Sequence, residues 1–188
     1  MTTAAKTSIT PDELLNLPDA VDYELVAGEL VERHMGSESS AIAAVIGYLL
    51  LGFVRPKRLG KVFTTDCGYL IFPNEPTRVR KPDVSFIRAG RLPNDRAPEG
   101  YVRIPPDLVV EVLSPGDTAY EVDQKVNEYL SVGVKLIWVV NPRTRNVRIH
   151  RLPNDPLGPI SILNESDMIT EESVLSGFNC PVAEFFQI

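Results

Sequence analysis

The sequence predicts an α/β fold, and four segments carry that expectation. Leu108-Val109-Val110-Glu111-Val112-Leu113 and Leu136-Ile137-Trp138-Val139-Val140 are apolar runs of strand length, rich in β-branched residues, as expected of sheet strands buried on both faces. Between them, residues 119–132 place Val122, Val126, Tyr129 and Leu130 at i, i+4, i+7 and i+8, the spacing of an amphipathic helix. Ahead of both, residues 37 to about 54 form a long apolar helix whose stripe is Ile42, Val45, Ile46, Leu49, Leu50 and Phe53.

Taken in order, residues 1–9 are polar and expected to be flexible. Thr10 can cap a short helix opening at Pro11-Asp12-Glu13, since proline fits the first helical position and acidic residues suit the first turn. Residues 23–26 and 29–33 read as a hairpin around the tight turn Ala27-Gly28. In the long helix that follows, Ala41, Ala43, Ala44 and Gly47 allow close approach to a sheet. Residues 61–72 are expected to hold two short strands around Asp66-Cys67. Pro82 suits the first residue of a strand continuing through Val84, Phe86 and Ile87, where its missing N–H removes no ladder bond. Residues 89–106, rich in Pro, Gly and Arg, form a long connection that lets this strand lie beside the Leu108 strand. Asp117 or Thr118 can cap the amphipathic helix, and Gly133 suits the position just past its end. Asn141-Pro142 joins the Leu136 strand to one over residues 145–151. Residues 153–159 are a Pro/Gly loop, and the tail through Phe185-Phe186 adds small strands and a closing turn. With no internal repeat, low-complexity tract or linker, residues 1–188 read as one domain.

Glu111 is the most informative residue. An ionised carboxylate inside an apolar strand is costly unless a cation or a set of donors meets it, and the chain breaks at Ser114-Pro115-Gly116. The charge therefore sits near the strand's carboxyl end, where sites on open α/β sheets lie. The plainer alternative is a structural ion pair or a solvated edge. Asp83, on the neighbouring predicted strand, supplies a second hard oxygen donor. Mg²⁺ commonly binds one or two carboxylates together with waters and phosphate oxygens, and the carbonyl of Val112 can add a third ligand. Lys125 lies about 85° from the centre of its helix's apolar stripe at 100° per residue. Its stem can lie on the sheet and its ammonium can swing toward a strand end, although an ordinary solvated lysine fits the same position.

Several of these motifs together resemble the Uma-two family of restriction-endonuclease-like proteins, in the PD-(D/E)XK nuclease-like superfamily. They are Pro82-Asp83, the Glu111 strand ending at Ser114-Pro115, Lys125 in a helix ending at Gly133, Lys135 to Pro142, and Tyr23-Glu24-Leu25-Val26-Ala27-Gly28-Glu29-Leu30-Val31. The resemblance spans roughly residues 8–187. It implies a restriction-endonuclease-like fold, a mixed central β-sheet flanked by helices with an N-terminal hairpin. It also implies that Asp83 and Glu111 bind Mg²⁺ or Mn²⁺, that the lysine of the motif is Lys125 because Leu113 stands two residues after Glu111, and that Glu24 assists the site. Ser39 stands where many members carry a histidine. The activity implied is metal-assisted phosphodiester hydrolysis by a DNA endonuclease. The alternative is a nuclease-fold nucleic-acid-binding or regulatory protein with weak cleavage or none.

Composition sets outer bounds. Of 188 residues 44% are hydrophobic, and a mean hydropathy of −0.03 suits an ordinary globular domain with ample core. No run of about 18 apolar residues predicts a membrane span, and the N-terminus lacks a secretory pattern. Cys67 and Cys180 are far apart and the only histidines are His34 and His150, so zinc, disulfide frameworks and catalytic triads are not expected. Reduced thiols and a cytoplasmic location are the expectation. The net charge of −6 argues against a nucleic-acid partner, which usually demands a basic footprint. Arg78, Arg80 and Lys81 before Asp83, and Arg88, Arg91, Arg96 and Arg103 after it, can bring phosphate to the acids or simply form solvated faces. Exposed edges on Val/Ile-rich hairpins leave room for a homodimer, which cutting both strands of double-stranded DNA would favour. Glu24, on a hairpin, would ordinarily be a surface residue, and Trp138 reads as core or as an interface aromatic.

Overall fold

The computed structural model describes residues 8–34 and 36–188, so the flexibility expected of residues 1–7 lies outside it. A short helix α1 (Pro11–Leu15) is held by a capping box between Thr10 and Glu13. The hairpin of β1 (Tyr23–Val26) and β2 (Glu29–Glu32) follows. Its turn residues Ala27 and Gly28 take φ of 51° and 78°, the positive pair that a two-residue hairpin loop requires.

Helix α2 (Ser37–Lys57) runs three residues past the expected end, carrying Pro56 in its last turn before Arg58 closes it in the left-handed conformation. Ile42, Ile46, Leu50 and Val54 are its buried positions at four-residue spacing, while Val45, Leu49 and Phe53 are only half-buried. By length and composition α2 is apolar enough to cross a membrane, which the sequence expectation of no membrane span does not anticipate. Its apolarity is spent on the main core: Ile42, Ile46, Leu50 and Val54 pack with Val84, Phe86, Val110, Val112, Trp138 and Ile149.

The central sheet has six strands in the order β3-β4-β5-β6-β7-β8, namely β3 (Gly60–Thr64), β4 (Val84–Arg88), β5 (Leu108–Val112), β6 (Leu136–Asn141), β7 (Asn146–Arg151) and β8 (Ile160–Asn164). It is mixed, as expected: β5 and β6 are parallel, and the other neighbours are antiparallel. The parallel pair is bridged by α3 (Ala119–Ser131), capped by Thr118 and Glu121. Every residue of β5 is buried, because α2 covers one face and α3 the other. Side-chain alternation along a strand sends Val84, Phe86, Val110 and Val112 into the α2 core and Ile87, Val109, Ile137 and Val139 into the α3 core with Val122, Val126 and Tyr129.

One expectation is corrected and one alternative is settled. Of the two strands predicted in residues 61–72 only β3 forms. Beyond Asp66 the chain makes isolated bridges at Tyr69, to Arg80 and Val102, because Pro and Gly on either side of these segments leave too short a run for a ladder. Trp138 is core, fully buried between Phe178 and Phe185. Those two rings come from the tail, where β9 (Met168–Glu171) pairs with β10 (Phe178–Pro181).

Gly60 is where another backbone comes closest. A Cβ there would stand 2.0 Å from the Ile87 carbonyl oxygen and 2.8 Å from the Phe86 ring. Gly60→Ala is therefore expected to lower stability by about 3 kcal/mol, read as a fall in the urea midpoint at unchanged slope. An unchanged midpoint would contradict the close approach.

Candidate active site

The β4–β5 register brings the two predicted acids together. Val84 pairs with Val110 in an antiparallel ladder, so one step further places Asp83 opposite Glu111, a pair whose Cβ atoms stand about 5 Å apart. Both share side-chain parity with Val109 and Ile87 and so face α3. The Val112 N–H, pointing off the edge that β4 no longer covers, donates to Asp83 Oδ2 at 2.7 Å. A strand residue's N–H and C=O point to the same side, so the Val112 carbonyl lies on this edge too.

Helix α3 supplies the next groups. Tyr129 Oη donates to Glu111 Oε1 at 2.9 Å, and Lys125 Nζ lies 3.6 Å from Glu111 Oε2 and 3.4 Å from Glu24 Oε2. The ammonium does swing to the strand end, as its angular position on the helix allowed. Glu24 departs from the ordinary expectation for a hairpin residue, being 2% exposed. The reason is docking: β1 bridges Leu25 to Val79, which lays Glu24 against the next residues. It accepts from the Lys81 N–H and from Arg80 Nη1, each at 2.8 Å.

The part of the basic flank before Asp83 is not a phosphate-facing patch, whereas Arg88, Arg91, Arg96 and Arg103 after it are exposed. Arg80 and Arg78 are both buried and converge on Glu128 of α3, Arg80 Nε donating to its Oε2 at 2.7 Å. Lys81 donates to the Ala20 carbonyl, and Arg91 pairs with Asp107 at 2.6 Å. Buried cations require partners, and this chain provides them internally. The result is a row of alternating charge beneath the site, from Glu128 through Arg80, Glu24 and Lys125 to Glu111.

Sequence reasoning did not single out four further residues at the site. Arg33 leaves the end of β2, is nine-tenths buried, and donates to Asp83 Oδ1 at 3.1 Å. His34 Nδ1 stands 3.2 Å from Asp117 Oδ1, Asp117 Oδ2 accepts the Ser114 N–H at 2.7 Å, and Tyr129 was read only as part of an apolar stripe. Its place one helical turn after Lys125 was the available signal. Nothing local marks the others, which arrive through the hairpin and the loop before α3. Arg33, His34, Asp83, Glu111, Asp117 and Lys125 line one cavity. Ser39, at the α2 start, also lines it and bonds Ser114 Oγ at 2.8 Å.

Electrostatics separates the acids. Burial pushes Glu111 up, with Asp83 and Glu24 adding repulsion against the pull of Lys125, to about 7. Burial also raises Asp83, against the Val112 N–H and Arg33. Glu24, equally buried, is instead held down at about 2, because Lys125, Arg80 and the Lys81 N–H together outweigh burial. For Lys125 burial works against the charge, but Glu111 and Glu24 hold it above its ordinary value.

These shifts act in opposite pH windows. Glu24 lies below the ordinary 4.5, so its contribution to stability is complete above about pH 4.5 and is lost as pH falls toward 2. Glu111 lies above 4.5, so ionising it lowers stability as pH rises from about 4.5 to 7. In the metal-free protein, Glu24→Gln is expected to flatten the acid limb of Tm against pH and Glu111→Gln the neutral limb. Parallel curves for wild type and both variants would refute the assignment.

The donor set fits a small hard cation. Among the described residues no cluster of three or more His, Cys, Asp or Glu side chains has the arrangement to hold a metal, which disfavours a closed all-protein cage. Two carboxylates and a backbone carbonyl on one open edge match the sparse protein ligation of Mg²⁺ or Mn²⁺.

Comparison with known proteins agrees with this architecture. Residues 11–183 match the model of the Uma2 family, described as "Putative restriction endonuclease". A crystal structure described as "a putative nuclease belonging to DUF820" from Anabaena variabilis is similar with a TM-score of 0.75 and 23% identity, over 95% of this chain and 97% of that one. At that identity the likeness is one of fold, and it bears out the nuclease-like α/β fold expected from the sequence. No curated protein matches the chain.

Proposed function

Because the chain belongs to the Uma2 family, we propose that it is a metal-dependent endonuclease hydrolysing phosphodiester bonds of double-stranded DNA. The observation that carries this reading is the convergence of Asp83 and Glu111 on the α3 side of the sheet, with Lys125 Nζ 3.6 Å from Glu111. Asp83, Glu111 and the Val112 carbonyl would hold Mg²⁺ or Mn²⁺. Such an ion, when bound, polarises a scissile phosphate and acidifies water.

The chain's own residues do the rest. Lys125, kept cationic by Glu24 and Glu111, directs fixed positive charge at the negative charge that develops on the phosphate in the transition state. Glu24 does not reach the cavity lining. It acts through Lys125, holding the ammonium in place from below. Tyr129 fixes the Glu111 carboxylate by its hydrogen bond, leaving Oε2 turned to Lys125. A homodimer would place two such sites on one duplex.

The internal pairing of Arg78, Arg80 and Arg91 favours a second reading, a nuclease-fold protein that binds nucleic acid weakly and cleaves it slowly or not at all. One assay separates the two: nicking of supercoiled plasmid by the pure protein with Mn²⁺ or Mg²⁺, against single-stranded DNA, RNA and an EDTA control. Metal-dependent conversion of plasmid to nicked and linear forms is expected. Absence of cleavage on every substrate, with Mn²⁺ bound, would overturn the endonuclease reading.

A further inference from the structure

We infer that His34 is the general base of the hydrolysis, set in its working tautomer by Asp117; the inference rests on the reading of the cavity as a phosphodiesterase site. The two other nitrogen-bearing side chains lining the cavity are donors only. Arg33 donates to Asp83, and Lys125 stands as an ammonium between two carboxylates. Asp83 and Glu111 would hold the cation. Imidazole is the side chain that accepts a proton near neutral pH, and His34 opens onto this cavity with its side chain 44% exposed, within reach of water.

Its geometry is fixed from two sides. A carboxylate accepts hydrogen bonds and cannot donate them, so the 3.2 Å contact of Nδ1 with Asp117 Oδ1 places the ring proton on Nδ1. The lone pair of the neutral ring is then on Nε2. Asp117 is itself anchored through Oδ2 by the Ser114 N–H. The ring also lies against Gly116, where a Cβ would stand 2.8 Å from Cγ of His34, so a larger residue at 116 would push the imidazole away. This is the orienting logic of an Asp–His pair, assembled here from the exit of β2 and the turn before α3.

In the step itself, Nε2 takes a proton from the attacking water as the water oxygen bonds to phosphorus. The bond from phosphorus to the leaving ester oxygen breaks, that oxygen departs with the electron pair and takes a proton from solvent, and the imidazolium returns its proton to solvent. Asp117 is a positioning residue that acts through His34.

Two measurements test this. In plasmid nicking with Mn²⁺, His34→Ala should cleave about 10²-fold more slowly than wild type while its Mn²⁺ dissociation constant is unchanged. Added imidazole should restore part of the His34→Ala rate and none of the rate of Glu111→Gln. In the metal-free protein, long-range ¹H–¹⁵N spectra resolve the two histidines of the chain, His34→Ala identifying which signals are which. The neutral His34 ring should be the Nδ1–H tautomer, and Asp117→Asn should shift it toward Nε2–H. Wild-type cleavage with His34→Ala within twofold of it, or an Nε2–H tautomer in the wild type, overturns the inference and leaves the endonuclease reading standing. A wild type that cleaves nothing removes both.

Discussion

Asp83→Asn and Glu111→Gln should each lower metal-dependent cleavage by about three orders of magnitude while shifting Tm by no more than a few degrees. The rate effect follows from removing an anionic ligand of a cation that stabilises transition-state charge by several kcal/mol, about 4 kcal/mol corresponding to a thousandfold. The small effect on stability follows from local bonding. Asn at 83 can still accept the Val112 N–H through its amide oxygen while Arg33, losing a carboxylate partner, keeps the Thr65 carbonyl, and Gln at 111 can still accept the Tyr129 hydroxyl. Glu111 is moreover a buried acid pushed to about 7, so deleting its charge relieves a desolvation penalty. Alanine at either position would leave a buried donor unsatisfied, at about 1–3 kcal/mol, and confound folding with catalysis. Initial nicking rates in Mn²⁺ and thermal melts of the same preparations decide the matter. Wild-type rates from both variants would remove Asp83 and Glu111 from the chemistry.

Glu111 was legible because a charge inside an apolar strand is improbable without a purpose, and Asp83 because Pro82 marks the approach to a strand, which begins two residues later than expected, at Val84. Helical periodicity alone placed Lys125 at the rim of α3, from which its ammonium reaches Glu111. The strands and helices carrying these three were read to within a few residues, since each has a period of its own. What escaped reading is what arrives by docking. Glu24 is buried only because β1 lies along Val79, a contact no local pattern announces. Arg33 and His34 follow β2 through that same hairpin, so their approach to Asp83 and Asp117 has no sequence signature. The arginine-rich flank misled for the same reason. Charge counts cannot tell an arginine facing solvent from one, like Arg80, that ties a hairpin to a helix across a buried carboxylate.

That tie predicts the largest stability effect in the molecule. Arg80→Met should lower stability by about 3–5 kcal/mol, the loss observed when one partner of a buried ion pair is removed. At about 2–4 °C per kcal/mol for a chain of this size, Tm should fall by roughly 10 °C. Arg80 is 4% exposed and serves two acids at once, Nη1 on Glu24 and both Nε and Nη2 on Glu128. Without it Glu128 keeps Arg78, whereas among the described residues Glu24 keeps Lys125 and the Lys81 N–H. Its pKa of about 2 should therefore rise, and the acid limb of the stability curve should move to higher pH. Arg80→Lys retains charge but not the fork that reaches both carboxylates, so it should recover only part of the loss. The double variant Arg80→Met/Glu24→Gln should be more stable than Arg80→Met alone, because the stranded charge is gone. A melt of Arg80→Met within 2 °C of wild type would show that the row of charges beneath the site carries no structural weight, and would leave Lys125 without the support from Glu24 on which its place beside Glu111 depends.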